Sequence, residues 1–152
     1  MLLVPNGGPI YRGMRNRLGY DEKQWLVLLE AYLRRETQLP DGTWLKKDLK
    51  GVSVSSSKEA VFLELDPKAI AELDSNTVRT IKHRNAQDSL EIHADPPTAD
   101  SNHGNIVHIP YLSDDPVSAE FLAGELARCS TLVSKVEFRE LRAISRTSNP
   151  SD

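Results

Sequence analysis

The sequence predicts an α+β domain: a mostly antiparallel sheet with two main helices and one short helix. Three observations carry that expectation. Short strand-like stretches recur in "IYRGM", "GVSVSSS", "SLEIHA" and "NIVHIP". Two longer segments, "DEKQWLVLLEAYLRRET" and "SDDPVSAEFLAGELARCSTLV", place apolar residues at helical spacing. Strands and helices do not alternate in the regular rhythm that a parallel sheet requires.

Taken in order, "VPNGGP" at residues 4–9 is turn chemistry, and "IYRGM" follows as a short strand. The first long helix starts at Asp21, with Gln24 three residues on as in a capping box. Trp25, Leu28, Leu29, Tyr32 and Leu33 form its apolar stripe, widened by Leu26 and Val27. Pro40 and the Asp-Gly pair end it. "GVSVSSS" alternates from Val52 to Val54, as a sheet edge or a strand leading into a turn. "AVFLEL" fits strand or helix.

"LDPKAIAELD" predicts a short helix, with Asp66 as cap, Pro67 at the first position and Ile70 and Leu73 inward. "TVRTIKH" and "SLEIHA" read as paired strands; in the second, Leu90 and Ile92 face one way and Glu91 and His93 the other. "NIVHIP" is a strand stopped by Pro110. Asp115 and Pro116 then open the second long helix, with Phe121, Leu122, Leu126, Cys129 and Val133 on its inner face. "KVEFREL" alternates and predicts a last strand, with Val136 and Phe138 inward. The expected organisation is one domain over residues 1–145 and a frayed tail over 146–152.

The bulk numbers bound the function. At 152 residues the chain is long enough to bury one core. Hydrophobic residues at 39% and charged ones at 27% place it among globular rather than disordered chains. A formal charge of −3 argues against a nucleic-acid partner, which wants a basic surface. Cys129 has no second cysteine to pair with, which fits a reducing compartment. "MLLVP" is too short for a signal-peptide core, and "WLVLLEAYL" is broken by Glu30 far below spanning length. The expectation is a cytoplasmic protein without membrane contact.

The stretch "HADPPTADSNHGNIVHIPY", residues 93–111, gathers three histidines and two aspartates. Their spacing matches no standard metal site, and no metal is expected. Pro96, Pro97, Asp100, Ser101 and Asn102 account for it as a strand–loop–strand connection, with Gly104 supplying an unusual backbone angle or a close approach. His103 is the best candidate histidine for acid–base work, standing at a loop end before a strand. No serine or cysteine nucleophile is tied to it by spacing. Cys129 falls on an apolar helix face and reads as core. "YRGMRNR" sets Tyr11 beside Arg12, Arg15 and Arg17; Tyr11, Arg15 and Arg17 form a candidate interaction patch.

Two resemblances add to this. "IYRG", "SVSSSKEAVF" and "LEIH" follow one another in an order that resembles ADP-ribosyltransferases. That resemblance implies Arg12 as the phosphate contact, Ser55 or Ser57 as the ribose contact, Glu91 as the catalytic carboxylate, and NAD as cofactor. The central motif is Ser-Ser-Ser, without the threonine of that family, and His93 stands two after Glu91. Over about residues 50–130, Ser53-Val54, Asp95-Pro96 and His103-Gly104 resemble a family of small uncharacterised bacterial proteins. Its members carry a central Ser-Val strand and a "DP…HA-x-V" segment, and no reaction follows from it. The resulting expectation is a small bacterial accessory or regulatory protein that binds another protein and needs no cofactor. A homo-oligomer is compatible with it, and NAD enters only with the enzyme alternative.

Overall fold

Strand β1, Pro9–Met14, is the organising element of the computed structural model, because both of its faces are covered. Ile10 and Met14 go to one core, while Tyr11 and Gly13 face the other. The structure describes residues 1–14, 23–46, 48–65, 67, 69–83 and 87–147, with backbone alone at 23–27, 135 and 145–147.

β1 pairs antiparallel with β4 (Val52–Ser55) on one side and β5 (Ala69–Asp74) on the other. β7 (His103–Val107) adds to β4 and β6 (Glu91–Ala94) to β7; β8 (Thr131–Leu132) closes the far edge against β5. The order is β6-β7-β4-β1-β5-β8, and all of these pairings are antiparallel. A separate hairpin joins β2 (Glu36–Gln38) and β3 (Trp44–Lys46).

Helices lie on both faces of the sheet. α1 (Lys23–Tyr32) and α4 (Pro116–Cys129) cover one. Leu28, Tyr32, Leu122 and Leu126 pack there on Ile10, Val54, Leu73, Ile92 and Ile106. α2 (Lys58–Leu65) and α5 (Lys135–Thr147) cover part of the other. There Val61, Phe62 and Leu141 meet Tyr11 and Ile70. Phe62 and Phe138 stack edge to face at 5.2 Å. α3 (Ser75–Val78) is a single turn.

The α+β class and the antiparallel sheet are as the sequence predicts. The strands at "IYRGM", "SLEIHA" and "NIVHIP" form, and Asp115 caps α4 by accepting from the Ser118 N–H at 3.1 Å. "AVFLEL" resolves to helix α2, whose Ala60 N–H donates to Ser57 Oγ at 3.2 Å.

Several local expectations are corrected. "LDPKAIAELD" does not form the expected helix over 69–74, and Asp66, its expected cap, lies outside the described residues. Its residues 69–74 are strand β5, held by six register pairs to β1. Both faces of β5 are covered, so Ile70 enters one core and Ala71 and Leu73 the other, which disguises the period-2 pattern. "TVRTIKH" is not a strand: α3 ends at Val78, and Thr77 Oγ1 donates to Asp74 at 3.0 Å. "KVEFREL" is helix α5 rather than a last strand. Ser134 and Glu137 cap it reciprocally, with Glu137 N–H donating to Ser134 Oγ at 3.2 Å and Ser134 N–H donating to Glu137 at 3.4 Å. Val136 accordingly points outward, at 64% exposure. "GVSVSSS" forms β4, which lies inside the sheet and leads through a bend at Ser56 into helix α2 rather than into a turn. Phe121, expected inward on α4, is exposed and packs its edge on His83 at 5.3 Å.

Candidate functional site

The cleft follows from incomplete cover of the second face. α2 lies over β1, and residues 96–102, which join β6 to β7, rise on the opposite side. Between them is a cleft of about 620 Å³. Register puts Tyr11, Ser55 and His103 on its floor, since Tyr11 pairs with Ser55 and Ser55 with His103. Ser53, two residues before Ser55, shares that face. Ala60, Val61, Glu64 and Leu65 form one wall; Pro96, Thr98 and Asn102 belong to the other. Gly13 deepens the floor, because a Cβ there would stand 3.0 Å from Val61 Cγ1.

His103 is fixed at both ring nitrogens. Nδ1 lies 3.0 Å from the carbonyl oxygen of Asp95, and Nε2 lies 2.7 Å from Ser53 Oγ. A carbonyl oxygen can only accept, so Nδ1 carries the proton. In the neutral ring Nε2 is then the acceptor, and Ser53 donates to it. Asp95 is itself held: Lys50 Nζ lies 3.1 Å from both of its carboxylate oxygens and keeps that carboxyl below the usual carboxylate range. The Asp95 N–H donates to the His103 carbonyl at 2.9 Å.

Arg12 points to the other face, under α1. Its Nε donates to the Ala31 carbonyl at 2.6 Å and its Nη1 to the Ser53 carbonyl at 2.7 Å. The first contact closes the negative end of α1, and the second ties the cleft strand to that helix. Burial pulls this guanidinium below its usual range, against the opposing pull of Asp48 and Tyr32.

Glu91 lies three strands away from β1. Arg79 Nε donates to it at 2.6 Å, and its own neighbour's N–H, at Ile92, does so at 2.9 Å. Arg79 also donates to the carbonyls of Leu3 and Val4, so the pair fastens the N-terminal segment to the edge of the sheet. Burial pushes the Glu91 carboxyl up, but the Arg79 and Ile92 donors outweigh it and leave the group below its ordinary value.

Of the sequence-derived candidates, the cleft gathers His103, Ser55 and Tyr11 but neither Arg12 nor Glu91. Ser57 caps α2, and Ser55 Oγ accepts from the Ser57 N–H at 3.0 Å. Tyr11 is buried at 7% exposure, beneath Lys58 Nζ at 5.7 Å, rather than on a surface patch. Arg15 and Arg17 lie outside the described residues. Ser53 is the residue that sequence spacing missed: fifty positions separate it from His103. The available signal was its place beside Val54 in an alternating strand.

The three histidines of the 93–111 stretch diverge. His103 engages Ser53, His108 Nδ1 lies 2.9 Å from the Ser89 carbonyl, and His93 is exposed on β6. Burial and the neighbouring Glu125 push the Cys129 thiol up, so that thiol is not an activated nucleophile. Among the described residues no helix is long and apolar enough to cross a membrane.

Fold and site together define an antiparallel α+β domain with a preformed, polar-floored cleft. Comparison with family models, with curated proteins and with solved structures finds no match.

Proposed function

We propose that the protein is a small bacterial accessory or regulatory protein that acts in the cytoplasm by binding another protein, and that its cleft receives a segment of that partner. The observation that supports this is the cleft itself. It is about 620 Å³, within the size range of specific sites, and its polar floor is held by paired strands. Apolar side chains at Val61, Leu65 and Pro96 flank that floor, the mixture a recognition groove uses.

No lysine or arginine is among the described residues that line it. A neutral or basic segment suits it better than a phosphorylated one. The same charge pattern, with Arg12 committed to two backbone carbonyls, gives the NAD-dependent alternative nothing to favour it.

The test is recovery of partners from the native host with the tagged full chain, in parallel with Ala60→Trp, which fills the cleft. Leu49→Ser, at a site 76% exposed and not among the residues lining the cleft, is the control. A partner kept by the wild type and the control but lost by the filled cleft supports the reading. A partner recovered equally with the Trp variant sinks it.

A further inference from the structure

We propose that Ser53 is a nucleophile for acyl transfer, with His103 as its general base. This rests on the cleft being the functional site. Ser53 Oγ and His103 Nε2 are 2.7 Å apart, and the tautomer is set by the Nδ1–H donated to the Asp95 carbonyl. The base therefore presents its lone pair to the hydroxyl, as proton abstraction requires. Both residues line the cleft, so a substrate can reach them.

Their mounting is rigid. Ser53 lies on a strand paired on both sides, with its carbonyl held by Arg12 at 2.7 Å. His103 begins the next strand, and its carbonyl accepts from Ser101 Oγ at 3.0 Å. Neither Cys129 nor Glu91 offers comparable chemistry in this cleft.

The walls indicate the substrate class. Ala60, Val61, Leu65 and Pro96 suit an apolar acyl chain, and among the described residues the lining has no lysine or arginine for a phosphate. A neutral carboxylic ester is the class that fits. In the first step Ser53 Oγ bonds to the ester carbonyl carbon while its proton passes to His103 Nε2. The bond from that carbon to the alkoxy oxygen breaks, and the departing alcohol takes the proton from His103. Water then attacks the acyl-serine with His103 again as base, releasing the acid and restoring the hydroxyl.

The experiment treats the purified full chain with a fluorophosphonate probe and locates the adduct by peptide mass spectrometry. The expected result is one adduct on Ser53. His103→Gln should slow its formation about a hundredfold, the scale of a lost general base, and Ser53→Ala should abolish it, with both variants still folded by circular dichroism at the labelling temperature. A wild-type chain unmodified at Ser53 overturns the proposal without reference to any variant. So does labelling of Ser53 at an unchanged rate in His103→Gln. Partner recovery measured on the same preparations separates the two readings: a retained partner with no adduct removes the acyl chemistry and leaves the docking cleft standing.

Discussion

Ser53 and His103 stand fifty residues apart in the chain and 2.7 Å apart in the fold, joined diagonally across the β4–β7 ladder. The pair also bears on stability. Ser53→Ala should cost about 1 kcal/mol, the usual worth of one such bond. His103→Ala removes the contact to Asp95 as well and should cost about 1–3 kcal/mol. Because the two share a bond, the double variant should lose less than the sum. Urea denaturation of the four proteins checks this, and strict additivity would show that the bond contributes nothing.

Arg12 makes a second prediction. Arg12→Met keeps much of the stem but leaves the Ala31 and Ser53 carbonyls without their donor. The expected loss is about 3 kcal/mol by chemical denaturation. Arg12→Lys should recover only part of it, because an ammonium lacks the planar fork that reaches both carbonyls. A loss below about 0.5 kcal/mol, the range of neutral surface changes, would show that the two bonds matter little.

Acid should loosen the N-terminal segment through Glu91. Its carboxyl is held below the ordinary value of 4.5, so its contribution is present above that value and fades as pH falls through the lower folded value. Hydrogen exchange at Leu3, whose N–H donates to the Ile92 carbonyl at 3.0 Å, reports the edge directly. Glu91→Gln should raise exchange there at neutral pH and flatten its acid dependence. An unchanged acid limb in that variant would remove Glu91 as the cause.

Gly104 carries a steric prediction. The sequence assigns it an unusual backbone angle or a close approach, and the structure shows the approach. A Cβ there would fall 2.5 Å from the His93 carbonyl oxygen and 2.9 Å from Leu3 Cδ2. Gly104→Ala should therefore push β6 and β7 apart and cost about 1–3 kcal/mol. A melting temperature equal to the wild type would show that the strands give way freely.

The α5 capping box is the fourth stability test. Ser134→Ala leaves the Glu137 N–H without its side-chain acceptor and should cost about 1 kcal/mol. Circular dichroism during thermal melting reads the loss of helix. An identical melt would show that this capping bond contributes little to holding α5 in place.

The class of fold was legible in the chain because its strongest signals are local. Asp115-Pro116 opens α4 whatever lies around it, and Leu28 and Tyr32 mark the buried stripe of α1 from spacing alone. The Ser134 and Glu137 spacing of a capping box stands in the chain, but the alternation of "KVEFREL" points to a strand instead. Strand β5 was not legible. Its Asp-Pro start obeys helix grammar, and only pairing with β1 and cover on both faces outweigh that preference.

His103 was visible as a candidate from its position at a loop end. Its partner was not, because antiparallel register decides which residue stands diagonally across a ladder, and register is set by every pairing in the sheet together. The same is true of Arg12 and Glu91. Their residue types promised ligand chemistry, but the β1 pleat turns Arg12 under α1, and Arg79 reaches Glu91 at the far edge. The sequence by itself determined which segments could form an α+β core and which side chains were chemically capable. Tertiary structure alone decided which of those side chains meet in the cleft, because each strand residue's face and neighbour depend on pairings distant in the chain.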